Sequence, residues 1–180
     1  LLILAALLAL SGLFAILALG TVESRLNRVA AELLPQSSVV LEADRDLYQA
    51  LSAERAIIAG VSSAGLDAEL NDNLQQASDR IARYSEETDA PEGKALAAEF
   101  TRAFATWKAT AMENVRLARS GAAAQASNIS YGRGYEEFTR ARDLIDQMTG
   151  LVNRQADAEE VETAADVSAS HARLATVLII

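Results

Sequence analysis

Apolar residues are concentrated at the two ends of the chain, and a polar middle separates them. Residues 1–20 contain no charged side chain, and the last seven residues read LATVLII. A membrane core of about 30 Å needs about 20 apolar residues in a helix. The first run therefore predicts transmembrane helix one at 1–20, in preference to a secretory signal or a buried core helix. Residues 173–180 predict the start of transmembrane helix two, and 21–172 an extracytoplasmic domain.

The segment after the first run carries a heptad pattern, with positions lettered a to g, that predicts one long helix to about residues 58–61. Seven of its ten a and d positions are apolar, and these ten positions are called the seam. They are Ala30, Leu33, Ser37, Val40, Asp44, Leu47, Leu51, Glu54, Ile58 and Val61. Such a seam is typical of a helical bundle or a coiled coil. Three e positions, Leu34, Leu41 and Tyr48, widen the apolar face enough for two neighbouring helices.

Three further helical stretches follow. Apolar residues recur at helical spacing from Leu70 to Tyr84, from Leu96 to Val115 and from Phe138 onward, with Phe104 and Trp107 expected in the core. Turns are predicted at 60–67 and 85–93, and an irregular loop at 120–134, with the fourth helix beginning near Tyr135. The fold class is therefore all-α, an up-down-up-down four-helix bundle whose first and fourth helices are continuous with the transmembrane helices.

Composition excludes several functions. The net charge of −9 argues against nucleic-acid binding, which needs clustered lysines and arginines. There is no cysteine, and the single histidine, His171, lies beside the second apolar run without a second ligand at metal-binding spacing. No phosphate-binding glycine loop or nucleophile motif is present. We therefore expect no enzyme activity, no catalytic residue, no metal and no cofactor.

Two segments carry a resemblance to a known family. EADRDLYQALSAERAIIAG (42–60) and FTRARDLIDQMTGLVNRQADA (138–158) resemble the first and fourth helices of the periplasmic four-helix-bundle sensors of bacterial methyl-accepting chemotaxis proteins. The resemblance implies a sensor in the inner membrane, with residues 21–172 in the periplasm. It also implies a homodimer through the first helix, ligand sites at the membrane-distal end, and signalling by a small displacement of a transmembrane helix. Alternatives are the same bundle on a histidine kinase or a diguanylate cyclase, or a structural membrane-anchored bundle without a ligand.

The candidate ligand residues lie near the distal end that the resemblance implies. Arg55 flanks the seam, and its guanidinium suits a carboxylate, although a structural ion pair is the alternative. Asn128, Tyr131 and Arg133 would form the opposing wall. The expected ligand is a small organic acid or an amino acid, or else a periplasmic binding protein takes its place.

Two seam residues are carboxylates, and burial of a carboxylate is costly without a partner. Asp44 and Glu54 are therefore expected to have partners or to lie at a wetter interface. Arg45 is expected on the outer face, in solvent or paired with Glu42.

Overall fold

The structure is a computed structural model that describes residues 2–179, without the side chains of residues 3, 4, 7, 174 and 177–179. Its helices are α1 (Leu2–Arg28), a π-helical turn (Val29–Leu33), α2 (Leu34–Ile58), α3 (Leu66–Glu87), α4 (Pro91–Arg119), α5 (Ala123–Tyr131) and α6 (Arg133–Ile179). The described residues contain no strand. The predicted all-α four-helix bundle is confirmed.

Two details differ from the sequence prediction. The segment 120–134, predicted as an irregular loop, contains α5, and the fourth long helix begins at Arg133 rather than near Tyr135. Helix α5 is short and rich in alanine, so it lacks the long apolar stripe that marks a helix in sequence. Its Ala126 is nevertheless fully buried, which shows that tertiary packing stabilises the helix.

The π-helical turn immediately precedes a proline. Pro35 has no backbone N–H, and its ring would clash with the carbonyl four residues earlier in a regular α-helix. In the structure, the Leu34 N–H donates to the Val29 carbonyl, five residues back, instead of the carbonyl four residues back. The extra residue in this turn lets the helix pass the proline without ending.

The chain divides into two compact units. One is Gln36–Leu151, here called the bundle unit, and the other, the terminal unit, comprises the segments before Gln36 and after Leu151. In the terminal unit, Arg25 of α1 binds three carboxylates of α6. These are Glu159 at 3.4 Å, Glu162 and Asp166 at 3.1 Å.

One helix of the described chain, spanning Leu8–Ile58, has a stretch long and apolar enough to cross a membrane. No residue of that stretch is buried, which distinguishes it from the core helix of a soluble protein. Residue 180, in the predicted start of a second transmembrane helix, lies outside the described residues.

Aromatic side chains form the centre of the bundle unit. Trp107 of α4 meets the ring of Phe138 of α6 edge-on at 5.2 Å, and Phe104 lies 6.0 Å from Trp107. All three are buried, as expected for Phe104 and Trp107. Tyr48 of α2 contacts Phe138 edge-on at 5.2 Å, so one face of its ring packs inward while the side chain stays half exposed. These rings join α2, α4 and α6 in one core.

The predicted seam of α2 is only partly buried. Six of its ten positions are buried: Leu33, Val40, Leu47, Leu51, Glu54 and Ile58. Ala30 and Val61, at the two ends of the seam, are exposed. The e-position residues Leu41 and Tyr48 are 55% and 47% exposed. Most of the seam therefore faces the chain's own core, whereas the e positions remain about half exposed.

Candidate ligand site

The bundle unit has a tip, formed by the end of α2, the end of α4 and helix α5. Ile58, Leu117 and Ala126 form a small apolar cluster there, with Ala122 and Ile129 packed against it. Gly60 and Gly121, which follow α2 and α4, have positive φ angles of 76° and 87°. Glycine adopts this conformation without steric penalty, so it lets the chain reverse at both helix ends.

Arg55 lies just below this tip, and its guanidinium rests on aromatic rings. Its Cζ is 4.3 Å from the ring centroid of Tyr131, the last residue of α5, and 5.6 Å from that of Tyr135 in the first turn of α6. Both distances allow cation–π attraction. The Arg55 Nε is buried and has no hydrogen-bond acceptor among the described residues. No described contact pairs Arg55 with a carboxylate at ion-pair distance, although its charge lowers the pKa of the neighbouring Glu54.

The four candidate residues are brought together only in part. Arg55 and Tyr131 are in contact. Arg133 is exposed and pairs with Glu137 of its own helix at 3.6 Å. Asn128 is exposed on α5, and its backbone carbonyl accepts the Gly132 N–H at 3.1 Å. Tyr135, which the site prediction omitted, is the second aromatic surface for Arg55. Its position four residues after Tyr131 could have indicated that the two rings lie close together.

A buried polar cluster lies beside Arg55. The Asn114 side-chain amide of α4 donates a hydrogen bond of 2.7 Å to Glu54 Oε1. Burial raises the pKa of Glu54; the nearby Asn114 amide, the Ser130 hydroxyl of α5 and the charge of Arg55 oppose this rise. The partner expected for Glu54 is therefore Asn114, a neutral side chain.

Asp44 has a charged partner. Its carboxylate is 3.3 Å from the Arg142 Nε of α6, and Arg142 also lies 3.4 Å from Asp146. Burial raises the pKa of Asp44, while the charge of Arg142 lowers it. The expectation that this seam carboxylate has a partner is thus confirmed.

A second ion-pair network was missed by sequence reasoning. Asp46 is fully buried and accepts hydrogen bonds from Arg80 of α3 at 2.5 Å and from its neighbour Arg45 at 2.9 Å. Arg80 also binds Glu42. Arg45 is exposed, as expected, but its described partner is the buried Asp46 and not Glu42, which Arg80 binds.

Comparison with known protein families decides the assignment. Residues 1–167 match the family described as a four-helix bundle sensory module for signal transduction, found in methyl-accepting chemotaxis proteins. The chain belongs to this family. A search of curated proteins finds no match to the sequence. The family assignment confirms the resemblance noted at 42–60 and 138–158.

The family is a sensory module and not an enzyme domain. The described residues contain no group of three or more histidine and carboxylate side chains that could hold a metal ion. The arrangement near the tip suits ligand binding. The Arg55 guanidinium has an unused donor, and the partly exposed rings of Tyr131 and Tyr135 lie beside it.

Proposed function

We propose that this sensory module is the extracytoplasmic ligand sensor of a transmembrane chemotaxis receptor, and that it binds a small organic acid or an amino acid at Arg55. The observation that supports this most directly is the unused Nε donor of Arg55, held against Tyr131. A buried donor without an acceptor is unfavourable, so a carboxylate that accepts from it gains free energy. Cation–π attraction to Tyr131 and Tyr135 holds the guanidinium beside these rings.

The ligand's carboxylate would accept from Arg55, and Tyr131 and Tyr135 would cover its hydrocarbon part. Asn128 and Arg133 are exposed at the same end of the chain's bundle unit and could supply further polar contacts. For Arg133 this requires release from Glu137, whose side chain is only 19% exposed.

The proposal is tested on the full chain in lipid nanodiscs against a library of amino acids and small organic acids, by thermal shift and then by calorimetry. Arg55→Ala should weaken any hit by about 10- to 150-fold, since a charge-assisted hydrogen bond contributes about 1.5–3 kcal/mol. Arg102→Ala is the matched control, because Arg102 is exposed on α4 and lies away from the tip residues in sequence. Retained affinity in Arg55→Ala would rule out this site. If no compound stabilises the wild type, direct sensing of small acids fails and a binding protein becomes the better partner.

We propose the bacterial inner membrane as the location, with residues 21–172 in the periplasm and both flanking apolar segments in the membrane. The unburied apolar stretch at the start of the chain supports a membrane anchor. Cysteines placed at Glu87 and Ser120, both exposed, should react with an impermeant reagent in intact cells. Protection of both positions would argue against this topology.

A further inference from the structure

The polar cluster beside Arg55 is almost completely withdrawn from solvent. Glu54 is 1% exposed, Asn114 is 0% exposed and Ser130 is 1% exposed. Each of these residues lies one helical turn from an apolar residue of the tip. Ile58 follows Glu54 on α2, Leu117 follows Asn114 on α4, and Ala126 precedes Ser130 on α5. A carboxylate in such surroundings pays a large desolvation cost when it is charged.

The hydrogen bonds within this cluster are incomplete. Asn114 Nδ2 donates to Glu54 Oε1, but neither Asn114 Oδ1 nor Ser130 Oγ accepts a hydrogen bond from any described residue. An ionised carboxylate only accepts hydrogen bonds, so Glu54 in its charged form cannot supply a donor to either atom. A protonated Glu54 could.

The charged groups of the surrounding helices compensate the carboxylate only in part, through the charge of Arg55. On α2, Arg55 turns to the tyrosine rings and forms no described ion pair with Glu54. On α4, Glu113 and Arg116 pair with each other at 2.6 Å. The α5 sequence, AAQASNISY, carries no charge, and at the start of α6 Arg133 pairs with Glu137 at 3.6 Å.

We propose that Glu54, Asn114 and Ser130 form a buried proton-binding site, which makes this sensory module responsive to external pH. The proton comes from solvent and forms an O–H bond at Glu54 Oε2, while Oε1 keeps the hydrogen bond from Asn114. The neutral carboxyl group then donates to Ser130 Oγ. The charge is removed from the interior, and Ser130 Oγ, which accepts no hydrogen bond while Glu54 is ionised, gains a donor.

The direction of the pH effect follows from burial. Burial raises the pKa of Glu54 in the folded chain above its value in the unfolded chain. Stability from this group is therefore fully present below the ordinary pKa of glutamate, about 4.3, and is lost as the pH rises through the raised value. The folded chain should take up this proton more readily than the unfolded chain does.

The first test measures the melting temperature of the full chain in detergent micelles as a function of pH, for the wild type and for Glu54→Gln. Glutamine has the same size, carries no charge and brings its own donor for Ser130. Glu54→Gln should raise the melting temperature by about 2–4 °C at alkaline pH, and the difference should disappear in acid. Glu136→Gln, an exposed change on α6, should show no such convergence. A Glu54→Gln difference that is independent of pH, or a loss of stability at every pH, would overturn the proposal.

A second test needs no variant. With ¹³C at the side-chain carboxyl of every glutamate, carbon NMR of the full chain follows all glutamates and no aspartates. One resonance should titrate at a clearly higher pH than the rest. If all of them titrate together near the ordinary glutamate value of about 4.3, the proton site does not exist.

Discussion

The Arg80 Nε donates to the buried Asp46 Oδ2 at 2.5 Å, across the interface between α2 and α3. Two residues earlier on α2, Asp44 approaches Arg142 of α6 at 3.3 Å, and two residues later Tyr48 packs against Phe138 of α6. The segment Asp44–Tyr48, which carries the family resemblance, therefore attaches α2 to both of its neighbours. Its role in this chain is structural, and the candidate ligand site lies farther along the helix.

Asp46→Ala should destabilise the chain by about 1.5–3 kcal/mol at neutral pH. The substitution removes a charge-assisted hydrogen bond and leaves Arg80, which is only 24% exposed, with Glu42 as its one remaining ion-pair partner among the described residues. Chemical denaturation in micelles measures the loss. Asp72→Ala, an exposed change on α3, should leave stability within about 0.5 kcal/mol of wild type.

The pairing itself is tested by a double-mutant cycle. Asp46→Ala and Arg80→Ala together should cost clearly less than the sum of the two single changes, because the second substitution finds the hydrogen bond already lost. Additive losses would show that Arg80 does not stabilise Asp46.

Gly93→Ala should destabilise the bundle at the α3–α4 turn. A Cβ at this position would lie 2.7 Å from the Tyr84 hydroxyl oxygen and 3.1 Å from Thr88 Oγ1, and both of these side chains are buried. Overpacking costs about 1–3 kcal/mol and exceeds the gain of about 1 kcal/mol from alanine's helix propensity. We expect a net loss of about 1 kcal/mol by chemical denaturation.

The matched control for this prediction is Gly65→Ala, because a Cβ on Gly65 meets nothing within 4 Å. Its φ of −116° also suits any residue. Tyr84→Phe should restore stability to the Gly93→Ala chain, since it removes the oxygen that the new methyl group meets. Failure of this rescue would place the strain elsewhere.

The fold was predictable because its signals are local. Heptad spacing along α2 and α4 depends only on nearby residues, and it correctly placed Leu47, Phe104 and Trp107 in the core. Helix α5 was not predictable in this way, because its nine residues are stabilised by packing of Ala126 against Leu117 of α4 and against Ile58 of α2, which lies far away in sequence. The same limit applies to the pair Asp46–Arg80, whose members are 34 residues apart.

The polar cluster at the tip was partly predictable. Glu54 stood out as a carboxylate in an apolar seam, but its partner did not. Asn114 follows Ala111 by three residues, and Ala111 follows Trp107 by four, so Asn114 continues the core spacing of α4 as a polar residue. That position was the available signal. Ser130 left no such signal, because α5 was not recognised as a helix.

A homodimer through α2 remains a prediction, and the structure changes where it should be tested. Leu33, Val40 and Leu47 are buried within the chain, so cysteines there would report on its own core. Leu41 is an exposed e-position residue, and in a parallel dimer with twofold symmetry it would face its own copy. Leu41→Cys should crosslink between subunits in membranes several-fold faster than Ala98→Cys, an exposed site on α4. Equal rates would argue against α2 as the interface.

Binding of an acid at Arg55 should be coupled to proton uptake at Glu54. The two residues are adjacent, and an ionised Glu54 opposes the approach of an anion to the Arg55 guanidinium, so protonation of Glu54 favours the bound state. Burial raises the pKa of Glu54, so the ionised fraction of Glu54 grows as the pH rises through this raised pKa, and the affinity for the acid should fall over the same pH range.

Binding at constant pH should also draw protons from the buffer. Calorimetry of a confirmed ligand in buffers of different ionisation enthalpy measures this uptake directly. In Glu54→Gln both the uptake and the pH dependence of affinity should vanish, and affinity at alkaline pH should exceed that of wild type. Uptake that is absent from wild type, or unchanged in Glu54→Gln, would show that the two sites act independently, even if each of them exists.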